Sequence, residues 1–183
     1  MYTIINHMSI PPQKAHFMIK FPPLRNLGYR LFDKCFGCGY YKNMDAKQVT
    51  FIEHTADLGI IVRGKDLRNL FETSAMTLVS LLVKGTSKEK PSVGRMTVSA
   101  DDMDDLMVRW LSEILYLFEG EGEVVTGVKI PLLLPSHLEA AVNKVPFDPD
   151  QHEIQHEIKA VTYHQIEVVE KSDHWEARII FDL

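Results

Sequence analysis

Two amphipathic segments set among strand-like runs constrain the fold of this chain more than any other feature. "KDLRNLFETSAMTLVSLLV" and "DDMDDLMVRWLSEILYLFEG" place apolar or small residues at every third or fourth position, the spacing of one helix face. Asp66 precedes the first segment as an N-cap, and Gly120 follows the second where a C-cap is expected. The sequence therefore predicts two helices, each with one buried face.

Short runs with strand character surround these helices. "VTFIE" and "LGIIV" come before the first helix and "RMTVSA" lies between the two. After residue 123 the chain reads as "EVVTGVKI", "SHLEAAV", "HEIKAVTYH", "QIEVVE" and "HWEARIIFD". Most connections are too short for parallel crossovers, so the order predicts an α+β fold with a mostly antiparallel sheet.

The first 43 residues differ in kind from the rest. They contain two proline pairs and the glycine-flanked "CFGCG", with no helical or alternating period. We interpret 1–43 as a flexible or wrongly assigned N-terminal extension, with Met44 as the working start, and 44–183 as the folded domain. Cys35 and Cys38 have the spacing of half a zinc site, but no second pair completes it.

Charge is distributed unevenly between these parts. Residues 1–43 hold six Lys or Arg and one acid, whereas 44–183 hold 14 basic and 24 acidic residues. Because a domain with a net charge of −10 repels phosphate backbones, we expect no stable direct binding of nucleic acid and favour cations and basic protein surfaces as partners. Without an apolar run of about 20 residues or a secretory signal, we expect a cytoplasmic protein with no membrane contact.

Histidines and clustered aspartates are the obvious places to seek chemistry. His152 and His156 lie in an alternating run, which as a strand would set them ~13 Å apart, too far for one ion. The four aspartates at 101, 102, 104 and 105 could form a metal cluster, but we favour helix-dipole stabilisation as their role. None of the common catalytic motifs is present, so the sequence offers no self-contained catalytic site.

The end of the sequence offers candidate oxygen ligands for a metal ion. Asp57 ends "EHTAD" just before a strand, and Asp182 ends the strand "WEARIIFD" one residue before Leu183. The two side chains and the Leu183 terminal carboxylate would suit a hard cation such as Ca²⁺ or Mg²⁺. On spacing alone, we favour the simpler interpretation of these residues as a solvated strand end, with a metal site as the alternative.

Four segments together resemble the archease family over residues 48–183. They are the H-T-A-D loop, the D-L-x-x-R-W-L-x-E-x-L-Y-x-F helix, the K-A-V-T-Y-H strand and the end at I-F-D followed by an apolar residue. The resemblance implies a three-layer β/α/β domain. It also implies metal ligands at Asp57, Asp182 and Leu183, with Lys159 as a functional polar residue beside them.

For function, the resemblance implies an accessory protein rather than an enzyme. Its partner would be an RtcB-type RNA ligase, whose guanylylation with GTP it promotes to allow multiple turnover in tRNA splicing and RNA repair. The cofactor would be a divalent metal, with Ca²⁺ favoured and Mg²⁺ or Mn²⁺ as alternatives. A modulator or chaperone of a tRNA methyltransferase is the alternative in another class, and a free-standing metal-dependent hydrolase is a third.

Overall fold

The computed structural model describes residues 48–53 and 57–183, which form two helices and ten strands. Every strand pair is antiparallel, as the sequence predicts. The elements are β1 Val49–Glu53, β2 Leu58–Gly64, α1 Leu67–Leu82, β3 Val83–Gly85, β4 Ser92–Ser99, α2 Met103–Glu119, β5 Glu123–Leu134, β6 His137–Pro146, β7 His152–Ile154, β8 Ala160–Val161, β9 Glu167–Glu170 and β10 Trp175–Asp182.

Several predictions fall outside the described residues. They are the N-terminal extension 1–43, the start at Met44, and the pair Cys35 and Cys38. His54, Thr55 and Ala56 of the "HTAD" loop also lie outside, whereas Asp57 at its end is described.

The strands form two main sheets with the helices between them. The larger sheet has the order β1-β2-β10-β8, with β9 also paired to β10, and the smaller has the order β4-β6-β5. Helix α1 contacts β2 and β10 on one side and β5 on the other, while α2 contacts β8 and β9 on one side and β4 and β5 on the other. The predicted three-layer β/α/β arrangement and α+β class are therefore confirmed.

The helix layer is joined to its neighbours by close apolar packing. Trp110 of α2 is fully buried, and its Nε1–H donates to the Phe71 carbonyl of α1 at 3.1 Å, so the indole leaves no unpaired donor in the core. At the start of α1, a Cβ on Gly64 would collide with the backbone of Leu70. A glycine at this position lets the helix begin directly against the end of β2.

The predicted helix ends are present. Asp66 adopts an extended backbone and its side chain accepts a hydrogen bond from the Asn69 N–H at 2.8 Å. Asp102 does the same for α2, accepting from the Asp105 N–H at 2.9 Å. Gly120 is the C-cap of α2, and its N–H donates to the Tyr116 carbonyl at 2.8 Å. Side-chain caps of this kind satisfy backbone N–H groups that the first turn leaves unpaired.

One strand prediction is wrong. The run "QHEIQHEIKAVTYH" does not form a continuous strand, because β7 pairs with β3 whereas β8 pairs with β10 in a different sheet. Residues 155–159 connect the two without strand structure. Alternation in sequence does not reveal a change of pairing partner, and this is why the prediction failed.

His152 is a buried histidine of the core. Its ring stacks on Phe147 with centroids 5.6 Å apart, and Nδ1 accepts a hydrogen bond from the Asp148 N–H at 3.0 Å. Burial lowers the pKa of His152, and burial likewise lowers that of His156. These features suit neutral imidazoles that stabilise the fold.

Candidate metal site at the end of the central strand

The pairing of β2 with β10 brings Asp57 and Asp182 together. The last pair in this ladder is Leu58 with Phe181, and continuing the register by one residue sets Asp57 opposite Asp182. Residues directly opposite in an antiparallel pair have Cβ atoms about 4.5–5.5 Å apart. Two carboxylates that are distant in sequence therefore meet at one end of the larger sheet.

Strand alternation turns these carboxylates away from the helix layer. Phe181 is fully buried in the core, so its neighbour Asp182 points to the outer face of the sheet and is exposed. Asp57 is half-buried on the same face. Within the described part of the chain, neither side chain has a hydrogen-bonding or ion-pair partner.

Lys159 and Leu183 complete the group. The Lys159 N–H donates to the Asp182 carbonyl at 2.9 Å, which extends the pairing of β8 with β10. Its side-chain Nζ donates to the main-chain oxygen of Leu183 at 2.6 Å. The Leu183 side chain packs against the core and so anchors that oxygen beside the two carboxylates.

These residues fit a hard divalent cation. The group offers carboxylate oxygens from Asp57 and Asp182 and a main-chain oxygen from Leu183, and Ca²⁺ and Mg²⁺ prefer oxygen ligands. A cation bound by both carboxylates would balance their negative charge. Lys159 supplies positive charge, but it contacts Leu183 rather than either aspartate side chain.

A comparison with known protein families identifies the family of the chain. Residues 50–183 match the model of the Archease protein family (MTH1598/TM1083), which is most of the chain. The chain belongs to the archease family. Protein archease of Pyrococcus furiosus is 32% identical over 141 residues, covering 75% of this chain and 99% of the relative. Protein archease of Methanosarcina acetivorans is 29% identical, covering 75% of this chain and 97% of the relative.

Solved archease structures have the same fold. The solution structure of Methanobacterium thermoautotrophicum protein 1598 matches with a TM-score of 0.55 and 26% identity, covering 75% of this chain and 99% of that one. The crystal structure of an archease, a possible chaperone, from Thermotoga maritima matches with a TM-score of 0.52 and 20% identity, covering 77% and 98%. The second likeness concerns the fold alone.

Other clusters of ionisable residues do not build a metal site in this archease domain. Among residues 48–53 and 57–183, no three His, Cys, Asp or Glu side chains come together in a way that could hold an ion. Asp57 and Asp182 are only two such side chains, so the candidate site would need at least one further ligand, a role that the Leu183 main-chain oxygen could fill. The same part contains no helix that is long and apolar enough to cross a membrane.

The aspartates at the start of α2 serve local structure instead. Asp102 caps the helix, and the Asp104 side chain accepts a hydrogen bond from the Val168 N–H at 2.7 Å. Burial is the main reason that the pKa of Asp104 is raised. The interpretation of these residues as a helix N-terminus agrees with their contacts.

Asp105 forms a cluster that the sequence did not indicate. It accepts hydrogen bonds from Arg109 Nε at 2.8 Å and from the Tyr163 hydroxyl at 2.6 Å. These bonds, with that of Arg109 first, lower the pKa of Asp105 to about 2. Tyr163 lies two residues after β8, so this cluster ties the strand next to the candidate site to α2. In the sequence, the only sign of this cluster is the spacing of Asp105 and Arg109, which lie one helical turn apart.

Proposed function

We propose that this chain is an accessory protein that activates an RtcB-type RNA ligase, using a divalent cation held by Asp57, Asp182 and the Leu183 terminal carboxylate. It would promote guanylylation of the ligase with GTP and so enable multiple turnover in tRNA splicing and RNA repair. The cation would be Ca²⁺, with Mg²⁺ and Mn²⁺ as alternatives. The register that places Asp57 opposite Asp182, beside Leu183 and Lys159, carries this proposal.

Membership of the archease family and the character of this end of the domain both support the proposal. Two carboxylates that have no partners among the described residues lie at one end of a domain whose sequence from residue 44 onward has a net charge of −10. Such an end is attracted to the positively charged pocket in which a ligase would bind GTP. A bound divalent cation would supply positive charge that stabilises phosphate groups during nucleotidyl transfer.

Each residue of this chain would have a separate task. Asp57 and Asp182 would hold the cation between β2 and β10, two strands fixed by seven register pairs. Leu183 would hold its oxygen in place through its packed side chain. Lys159, exposed at the start of β8, would lie close to the ligase site. None of these tasks needs a nucleophile, in keeping with an accessory role rather than catalysis by the chain itself.

The decisive experiment measures guanylylation of the cognate ligase with GTP, with and without this protein. Asp57→Asn and Asp182→Asn should each abolish stimulation and multiple-turnover ligation, while circular dichroism shows retained folding. Glu176→Gln is the matched control, because it removes a carboxylate from the same strand at its other end. Full stimulation by the two aspartate variants would contradict the metal-dependent mechanism.

A chain extension offers a second test of the terminal ligand. Residues added after Leu183, such as a C-terminal tag, would convert the terminal carboxylate into a peptide carbonyl and remove one negative charge. We expect weaker metal binding and weaker stimulation of the ligase. A tag added at the N-terminus should leave both unchanged.

Modulation of a tRNA methyltransferase, or a chaperone role toward one, is the second candidate function. It is favoured by one observation, the description of the Thermotoga maritima relative as a possible chaperone. This function predicts that the protein changes the choice of methylation site on tRNA and that Asp57 and Asp182 are dispensable for the effect. The two aspartate variants therefore separate the two proposals.

A further inference from the structure

Lys159 forms two hydrogen bonds with the candidate site, one from its backbone and one from its side chain. Its backbone N–H bonds to the Asp182 carbonyl at 2.9 Å as part of the sheet, whereas its Nζ bonds to the Leu183 main-chain oxygen at 2.6 Å. The first bond fixes where the residue lies. The second involves an exposed side chain, so the ammonium can move away while the strand stays in place.

The contact of Nζ with Leu183 conflicts with the metal site proposed above. The terminal carboxylate that receives the Lys159 ammonium is the group that would ligate a divalent cation. A monovalent ammonium and a divalent cation at neighbouring positions repel each other. Exposed ion pairs are weak and are readily exchanged, whereas a cation bound by several carboxylates gains from all of them at once.

We propose that the Lys159 ammonium is an intramolecular competitor of the divalent cation for the Leu183 main-chain oxygen. Cation binding displaces the side chain into solvent, and the site binds its cation less tightly than its three carboxylates would without Lys159. This inference rests on the proposed metal site. In this proposal Lys159 is an internal counter-ion that lowers the affinity of the site for the cation and makes the cation easier to release.

Calorimetric titration with CaCl₂ tests the proposal on the full chain. Lys159→Met should bind Ca²⁺ roughly 3- to 10-fold more tightly than the unchanged protein, because the competing charge is gone. Lys159→Arg keeps the charge and should stay within about twofold of the unchanged protein. Circular dichroism checks that both variants remain folded, as expected for an exposed side chain.

Lys171→Met is the matched control. It removes the same charge from an exposed lysine that directly follows β9, in the turn that leads to β10 at the opposite end from the site. The strand is eight residues long, so Lys171 lies more than ~20 Å from Leu183, beyond the range of an unscreened interaction at ordinary ionic strength. Its Ca²⁺ affinity should match that of the unchanged protein.

A spectroscopic readout follows the displacement itself. In protein with ¹⁵N-labelled lysine, CaCl₂ should shift the side-chain resonance of Lys159 and leave that of Lys171 in place. Asp182→Asn, which weakens cation binding, should remove this shift at the same concentration. A resonance of Lys159 that stays unchanged while Ca²⁺ binds would overturn the displacement.

The outcomes separate this inference from the proposed function. If the unchanged protein binds Ca²⁺, Asp182→Asn does not, and Lys159→Met binds no more tightly than the unchanged protein, the competition is wrong and the metal site stands. If Asp182→Asn binds Ca²⁺ as well as the unchanged protein, or none of the proteins binds it, the metal site is wrong and the competition falls with it.

Discussion

The two ends of β10 carry the same kinds of residue and use them differently. At the end that begins with Trp175, the Glu176 carboxylate pairs with Arg63 Nε at 3.0 Å, and Arg63 also donates to the Thr50 hydroxyl at 2.9 Å. At the end that closes with Asp182, the carboxylates of Asp57 and Asp182 have no such partners among the described residues. At the first end the charged side chains link β1, β2 and β10, whereas at the second end the two aspartates make no such link among the described residues.

The two faces of β10 have different roles: the inner face makes the strand rigid, and the outer face carries the charged side chains. Ala177, Ile179 and Phe181 are buried against the helix layer along its whole length. Because this apolar face fixes the backbone, the acidic side chains on the outer face at the Asp182 end need no partner among the described residues to hold the strand in place. Substitutions on the two faces should therefore separate folding from function.

The largest expected effect is the loss of stability when the buried ring of Phe181, at the Asp182 end of β10, is removed. Phe181→Ala removes a fully buried ring and should lower the free energy of unfolding by about 3–5 kcal/mol, because it loses apolar burial and leaves a cavity. Trp175→Ala, at the half-buried opposite end, should cost less. Guanidinium unfolding monitored by circular dichroism measures both, and an equal loss in the two variants would contradict the difference between the ends.

A smaller effect should distinguish the two acidic positions. Glu176→Gln weakens the pairing with Arg63 and should lower the free energy of unfolding by about 0.5–1 kcal/mol. Asp182→Asn removes a charge that faces another carboxylate and should change stability by less than about 0.5 kcal/mol while weakening cation binding. Urea unfolding without added metal is the measurement. A larger loss for Asp182→Asn than for Glu176→Gln would show that the site end also depends on its charge for stability.

The smallest expected effect is a change in stability at low pH, which arises from the hydrogen bonds of Asp105 with Arg109 and Tyr163. The pKa of Asp105 falls from 3.8 to about 2 through its bonds with Arg109 and Tyr163. A carboxyl group whose pKa is lower in the folded state stabilises the fold above its unfolded pKa, and this contribution is lost as pH falls from about 4 to about 2.

Thermal unfolding between pH 2 and pH 6 checks this dependence. Asp105→Asn should flatten the fall in Tm between pH 4 and pH 2, and Tyr163→Phe, which keeps the carboxylate and removes one bond, should flatten it partly. Profiles that coincide with that of the unchanged protein would show that this cluster does not stabilise the attachment of β8.

Much of the fold could be predicted from the sequence because local sequence patterns determine it. The period of the apolar residues placed both helices, and Asp66 and Gly120 marked their ends as predicted. The strand pairing was harder, since β7 and β8 join different sheets although their sequences run together as one alternating segment. The short β3 was not anticipated, because three residues that continue directly from a helix carry no period of their own.

The candidate site was predictable in part, and for a different reason. Asp57, Asp182 and Leu183 were candidates from their residue types and positions, and the family resemblance implied their role as ligands and added Lys159. Their grouping depends on the pairing of Leu58 with Phe181, a contact between distant parts of the chain that no local pattern encodes. The bond from Lys159 to Leu183 depends in turn on the pairing of β8 with β10. Geometry of this kind follows from the tertiary fold and is not visible in residue spacing.

The place of β10 in the larger sheet has a consequence for biosynthesis. It is the last of the described elements to leave the ribosome, yet it lies between β2 and β8 and contacts α1. Until it emerges, β2 has an open edge and the apolar face of α1 lacks part of its cover, a state in which nascent chains are prone to associate. The larger sheet is therefore completed only after β10 has been synthesised, and the pairing that sets Asp57 opposite Asp182 forms at the same step.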